Sequence, residues 1–301
     1  MTVDVVCAGT PFLDLVFRGL ERMPQAGEEV LARELVIVPG AMANVAFALR
    51  QLGLEAIVCA PVGTDAAGRL LQQLMADAEI PWIGSPTSET AVSVGLPLEG
   101  DRSFVTVDRS GLVDAAAVAR LEPRAVVVNL PLPYGLEGGM GTGRFLYGVV
   151  GDPQVEILRA RPPDPWTSLR AVFFNEREAR HLTGAADAPT AARQLARRGC
   201  VVVVTRGPDG ATAASPDGSV TETPGVPVVE IDTVGAGDLF AAAFIWADLA
   251  GQPLAERLRV AAAYASASLA APGWRQKGLP HADFVAAETP PRPPSLQEVR
   301  G

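Results

Sequence analysis

Lysine is almost missing from this chain of 301 residues: it occurs once, at Lys277, and every other basic side chain apart from two histidines is arginine. The histidines are His181 and His281, and the cysteines are Cys7, Cys59 and Cys200. With no C-x-x-C and no Cys–His pair close in sequence, the chain suggests neither a zinc site nor a Cys–His nucleophile. Three scattered cysteines inside apolar runs read as buried free thiols in a reducing compartment. A net charge of -9 is the wrong sign for a generic nucleic-acid binder. Any phosphate site must therefore be local, built from backbone N–H groups and a few arginines. No apolar run reaches the length of a membrane span. The N-terminus has no basic segment ahead of its first apolar run, and Asp4 interrupts that run early. We therefore expect no signal peptide, no membrane partner and a cytoplasmic protein.

What is present is ample apolar material, 48% of the residues, enough for a sizeable core. Short apolar runs alternate with helical patterns along most of the chain. That alternation predicts an α/β fold with a doubly wound, mainly parallel sheet. In such folds ligands bind at the carboxyl ends of the strands.

One stretch organises the rest: Ile231-Asp232-Thr233-Val234-Gly235-Ala236-Gly237-Asp238-Leu239-Phe240. A β-branched run from Val226 to Ile231, broken by Pro227, is expected to lead in as a strand. Leu239, Phe240, Ala243, Phe244 and Ala247 lead out at helical spacing. The glycines between let the backbone turn tightly and approach a ligand. The first N–H groups of the following helix lack intrahelical partners, which makes a cradle for phosphate. Asp238 lies in that cradle, where a carboxylate repels a resting phosphate. It is either an ordinary N-terminal Asp or a base that takes a proton from an attacking hydroxyl.

Further motifs follow predicted strands. Asp14 comes shortly after the run Val3 to Gly9. Pro39-Gly40-Ala41-Met42-Ala43-Asn44 reads as a turn opening a helix that Gly53 stops. Asn175 and Glu178 lie three apart on one helix face, the spacing of a capping pair. Thr205-Arg206-Gly207-Pro208-Asp209-Gly210 is a T-x-G-x-x-G turn after the run Cys200 to Thr205. Ala91–Leu98 and Ser103–Val107 flank Glu99-Gly100-Asp101 as a hairpin. The Gly- and Pro-rich stretch 131–144 lacks the G-K-[ST] ending of a phosphate loop and reads as an irregular loop.

The segment Asp232 to Asp238 resembles the D-T-x-G-A-G-D signature of the ribokinase-like (PfkB) carbohydrate kinases and matches it at every fixed position. Residues 39–53 resemble that family's first signature, with Pro39 in place of the first glycine of its usual pair and Met42 where ribokinases proper tend to carry lysine. The likeness spans roughly residues 3 to 285. It implies one kinase domain over 1–288, with a small β-sheet lid from about 14–38 and 90–109, and a Pro-rich tail over 289–301. It implies that Gly235, Ala236 and Gly237 form the anion hole and that Asp238 is the catalytic base. It gives Asp14, Gly40 and Asn44 to the substrate and Thr205, Gly207 and Gly210 to the nucleotide. It gives Asn175 and Glu178 to Mg2+ through water. The implied reaction moves the γ-phosphate of ATP to a primary hydroxyl of a sugar or sugar derivative. The implied cofactors are ATP and Mg2+, with a monovalent cation as a further candidate. The expected partners are a small sugar-like substrate and a second copy docked through the lid. A nucleoside kinase of the same family and a non-catalytic binding relative remain as alternatives, and the absence of G-x-G-x-x-G after the first strand argues against a dinucleotide-binding oxidoreductase.

Overall fold

The computed structural model describes residues 3–98, 101–109, 111–136, 143–160, 166–228, 234–270, 274 and 277–288. In chain order, β1 (Val5–Ala8), β2 (Pro11–Arg18) and β3 (Glu34–Ala41) precede α1 (Met42–Gln51). Next come β4 (Ala56–Cys59), β5 (Val62–Gly63), α2 (Ala66–Asp77), β6 (Trp82–Ile83) and β7 (Pro86–Thr87). Then follow β8 (Val92–Leu98), β9 (Asp101–Val107), α3 (Ala115–Arg120), β10 (Ala125–Asn129), β11 (Phe145–Val149) and α4 (Asp152–Ala160). The chain continues with β12 (Ala171–Asn175), α5 (Glu176–Thr183), α6 (Ala188–Ala196), β13 (Val201–Thr205), β14 (Ala211–Ala214) and β15 (Val220–Thr223). It closes with α7 (Ala236–Leu249), α8 (Leu254–Leu269) and α9 (His281–Glu288).

The main sheet has the order β15-β14-β13-β12-β11-β10-β1-β4-β6. Every neighbouring pair from β13 to β6 is parallel, and β14 and β15 add an antiparallel edge. The central strands are apolar along their whole length because both faces are covered. Alternate residues serve opposite cores: Val5, Cys7 and Val127 pack on the side of α1, α7 and α8, while Val6, Ala8, Val126 and Val128 pack with Leu158, Leu195 and Ala179. The three cysteines are free and buried in this packing. Chain order reverses beside β1, which puts the crevice expected for a ligand at its carboxyl end. Among the described residues, no helix is long and apolar enough to cross a membrane.

A separate four-stranded sheet, β3-β2-β8-β9, rises from that end. Asp65 caps α2 through the Gly68 N–H at 2.8 Å and also receives Thr90 Oγ1 at 2.6 Å, which anchors the approach to β8. The strands β8 and β9 pair antiparallel as a hairpin, though 99–100 lie outside the described residues.

Several expectations need correction. Pro39 and Gly40 are not in a turn but in β3, an edge strand, where a residue without an N–H is tolerated. Residues 145–160, to which the sequence assigned no element, contain β11 and α4. The five-residue β11 is short and follows a Gly-rich stretch, and Pro153 in the first turn of α4 masked a helix that such a proline permits. No strand covers Val226 to Val228, where Pro227 removes a ladder donor; 229–231 lie outside the described residues, as do Asp232, Thr233 and the tail 289–301.

One buried polar knot ties the back of α7 to the sheet. The Asp248 carboxylate receives Tyr147 Oη at 2.7 Å, both arms of the Arg170 fork at 3.0 Å, and Arg257 at 2.8 Å. Burial raises its carboxyl pKa, but these partners outweigh that and hold it below the usual range. Asp248→Ala leaves two guanidiniums and a phenol facing an apolar hole. We expect a loss on the order of 3 kcal/mol in urea unfolding; a loss under about 0.5 kcal/mol contradicts this account of the knot.

Candidate active site

Gly235 adopts φ 77°, the left-handed conformation that glycine takes without strain, and this turns the chain into α7. No side chain caps that helix. Its first-turn amides, at Ala236, Gly237 and Asp238, are therefore left for a ligand, and the positive end of the helix dipole lies with them.

Asp238 points back toward α1. Asn44 Nδ2 donates to Asp238 Oδ2 at 2.8 Å. Asn44 is buried, and its other amide atom is used as well: Trp274 Nε1 donates to Asn44 Oδ1 at 2.6 Å. Asn44 thus orients Asp238 directly, a contact the sequence did not reveal. The helix dipole alone suggests an ordinary or lowered pKa for Asp238, yet burial pushes its carboxyl up to about 6, against the opposing pull of the Asn44 hydrogen bond and the Lys277 charge. The carboxylate remains the main form at neutral pH.

On the small-sheet side, Asp14 lies within β2 and is 7% exposed. Burial raises its carboxyl to about 7, and the charge of Asp238 adds to the effect. Gly40, one strand over, is glycine for lack of room: a Cβ there would lie 2.0 Å from Asp14 Oδ2. Gly40→Ala should therefore displace the Asp14 carboxylate, at a cost of roughly 1–3 kcal/mol as overpacking, while α1 stays formed. The check is circular dichroism and thermal melting beside wild type; an unchanged melting temperature contradicts this packing. Asp14 shares its sheet face with Ser93 and Thr106, whose hydroxyls are hydrogen-bonded at 2.8 Å. Sequence reasoning missed both, since isolated hydroxyls in strands carry no signal.

On the opposite side lies a cleft of about 650 Å³ lined by Thr205, Gly207, Gly210, Ala236, Gly237 and Phe240, with Ala262 and Ala265 of α8 as an apolar wall. The T-x-G-x-x-G turn and the helix start thus share one cavity. Asn175 and Glu178 form a reciprocal capping box: Glu178 N donates to Asn175 Oδ1, and Asn175 N to Glu178 Oε2, both at 2.8 Å. Burial pushes Glu178 up to about 7, with the Asn175 N–H opposing and Asp152 and Asp238 adding. Among the described residues, no group of three or more His, Cys, Asp or Glu side chains could hold a metal ion by itself. Arg109 is exposed and paired with Glu89, and Arg102 has no described side chain.

The profile of the pfkB family of carbohydrate kinases matches residues 159–282, which include the capping box, the T-x-G-x-x-G turn and the start of α7. That match, together with the ribokinase relatives, supports a ribokinase-like pfkB carbohydrate kinase. Members of the pfkB family are ATP-dependent sugar kinases. The chain is similar to the cytidine kinase of Thermococcus kodakarensis, 43% identical over 96 residues, which are 31% of this chain and 34% of that protein's length. It is 29% identical to the ribokinase of Bacillus subtilis, over 92% of this chain and 96% of that protein. Among solved structures, the Arabidopsis thaliana ribokinase complexed with ribose and ATP superposes with a TM-score of 0.75. That pair is 22% identical over 95% of this chain and 98% of the other, a likeness of fold. Within the pfkB fold the motif residues therefore fall into two groups, with Asp14, Gly40 and Asn44 on one side of Asp238 and Thr205, Gly207 and Gly210 on the other.

Proposed function

We propose that this pfkB-family chain transfers the γ-phosphoryl group of ATP to a hydroxyl of a sugar-like acceptor, with Asp238 as general base. The observation that carries the reading is the position of the Asp238 carboxylate. It sits at an uncapped helix start, hydrogen-bonded to Asn44 and flanked by the Asp14 side and the Thr205–Gly210 cleft. Asp14 accepts hydrogen bonds from acceptor hydroxyls, since an ionised carboxylate only accepts. Asn44, beside Gly40, contributes its second amide hydrogen to the acceptor. Thr205, Gly207 and Gly210 hold the nucleotide, with the apolar wall of α8 for a base. Asp238 takes the proton of the attacking hydroxyl as its oxygen bonds to the γ-phosphorus; the bond from that phosphorus to the bridging oxygen breaks, and ADP leaves. The Gly235, Ala236 and Gly237 amides stabilise the charge on the transferring group.

The Asp238 charge raises the proton affinity of both Asp14 and Glu178, and Asp152 adds to the effect at Glu178. That excess of negative charge fits a hydrated divalent cation arriving with the nucleotide. Mg2+ beside Asn175 and Glu178, held through water, would neutralise phosphate charge. The capping box occupies only one Glu178 oxygen, which leaves the other for such a water.

Residues 1–288 act as one kinase unit in this proposal, with the β3-β2-β8-β9 sheet as a lid that excludes water during transfer. Its face away from Asp14 carries an in-register row of Ile37, Leu15, Val94 and Val105, with Ile37 and Val105 exposed. That row supports a homodimer docked through the lid.

A nucleoside is the second reading for the acceptor, favoured by the cytidine kinase likeness. The test is to incubate the protein with Mg·ATP and single acceptors from both classes and identify the product by phosphorus NMR. A new phosphomonoester on a sugar-like acceptor supports the proposal, one on a nucleoside moves it to the second reading, and ATP binding without any phosphorylated product overturns it.

A further inference from the structure

The one lysine of the chain is buried beside the turn that opens α7. Lys277 is 2% exposed, and its Nζ donates to the Val234 carbonyl oxygen at 2.5 Å. We propose that the Lys277 ammonium is a built-in positioning cation for the Gly235 turn, holding and polarising the Val234–Gly235 peptide so that its N–H binds the transferring phosphoryl group more strongly. The inference rests on the phosphotransferase reading above and gives a role to a residue outside every motif.

The argument begins with one peptide unit. The Val234 C=O and the Gly235 N–H are its two ends. A cation on the oxygen draws electron density toward it and leaves the N–H a stronger donor. The same contact fixes the direction in which that N–H points, and Gly235 at φ 77° carries the direction into the helix. A compact ammonium can cap a single carbonyl in this way, whereas a planar guanidinium needs a wider, forked partner. This distinction matters in a chain whose other cations of fixed charge are all arginine.

Lys277 is itself held in place. Its backbone N–H donates to Trp274 O at 3.1 Å, and the next residue, Gly278, donates to Ser268 Oγ at 3.3 Å. Trp274 stacks on Phe47 of α1 at 4.7 Å between ring centroids and donates to Asn44, which donates to Asp238. The circuit closes through the first turn of α7, from Asp238 back to Gly235 and Val234. Trp274 thus braces the base and Lys277 the anion-binding turn. The Lys277 charge also favours ionised Asp238. Burying an ammonium is costly unless it is paired. Here it offsets part of the negative charge that Asp14, Asp238 and the phosphates concentrate nearby.

Lys277 is a positioning residue because it acts through Val234, Gly235 and Asp238 rather than on the substrate. Two variants test it, Lys277→Met and Lys277→Gln, the second keeping a neutral donor for the carbonyl if the first fails to fold. We expect kcat to fall about 10–100-fold in both, below the full loss of an oxyanion donor, with KM for ATP and acceptor within about threefold. Ethylammonium or K+ should restore part of kcat in Lys277→Met and leave wild type unchanged, and exchanging K+ for choline should not affect wild type. Wild-type kcat in folded Lys277→Gln, or a loss that neither cation restores, overturns the inference while leaving the phosphotransferase reading intact. Absence of acceptor-dependent turnover in wild type overturns both.

Discussion

Asp238→Asn is expected to lower kcat by about 10²–10⁴-fold while ATP still binds with near wild-type affinity. The substitution keeps the side-chain shape and an oxygen to accept the Asn44 hydrogen bond, now 2.8 Å long. It removes only the site for the proton. The pH dependence gives a second check with a definite sign. Burial raises Asp238 to about 6, and the base works in its ionised form, so kcat falls as pH drops through about 6. Asp14, raised to about 7 by burial and by Asp238, must also be ionised to accept two hydroxyls, so kcat/KM for the acceptor begins to fall from about 7. Stopped assays from pH 5 to 9 on wild type and variant measure both limbs. Wild-type turnover in Asp238→Asn removes Asp238 from the chemistry.

Asp14→Asn is expected to do two opposite things. It should raise the acceptor KM roughly 10–100-fold, the worth of one or two hydrogen bonds to a charged acceptor. It should also make the ligand-free protein more stable at pH 8. The sign follows from proton linkage. The folded-state pKa of Asp14, about 7, lies above its ordinary value of 3.8. Between those values the folded state holds more protons than the unfolded one, so rising pH erodes stability across that window and the full penalty is present above about 7. A tenfold change in proton affinity is worth about 1.4 kcal/mol, and after allowance for solvent reaching the site we expect a gain on the order of 2 kcal/mol. The gain should shrink toward pH 4. Urea melts at pH 5 and pH 8 decide it: a variant that is less stable than wild type at pH 8 contradicts the charge account of this cluster. The site thus holds a carboxylate against its own folding preference, a common trade of stability for binding.

The parts of this site that sequence reasoning reached are those whose chemistry is local. A Gly-rich turn into a helix states its own backbone geometry, so residues 235–238 were legible as a cradle without any knowledge of their neighbours. The parallel sheet was legible from runs such as Val201 to Val204, because burial on both faces leaves no polar alternation. Partnerships across long sequence separations were not legible. Asn44 meets Asp238 and Trp274 from about two hundred residues away, and nothing in its helix announces either contact. Lys277 was visible only as a compositional oddity. Its isolation in an arginine-rich chain was the one signal that could have raised it. Pro39 misled in the usual direction, since proline beside glycine reads as a turn wherever an edge strand is not yet known. Asn175 and Glu178 show why a motif and its structural role can coincide: they form a full capping box, and that box fixes the Glu178 carboxylate on the Asn175 N–H.

The most direct measurement is acceptor-dependent ADP release from Mg·ATP, followed with a coupled assay across sugars, sugar acids, sugar phosphates and nucleosides. Asp238→Asn serves as the blank. The account predicts that at least one hydroxylated acceptor gives steady turnover in wild type and at most a hundredth of it in the blank. Equal ADP release from wild type and blank, or none from wild type while calorimetry shows ATP bound, would contradict it.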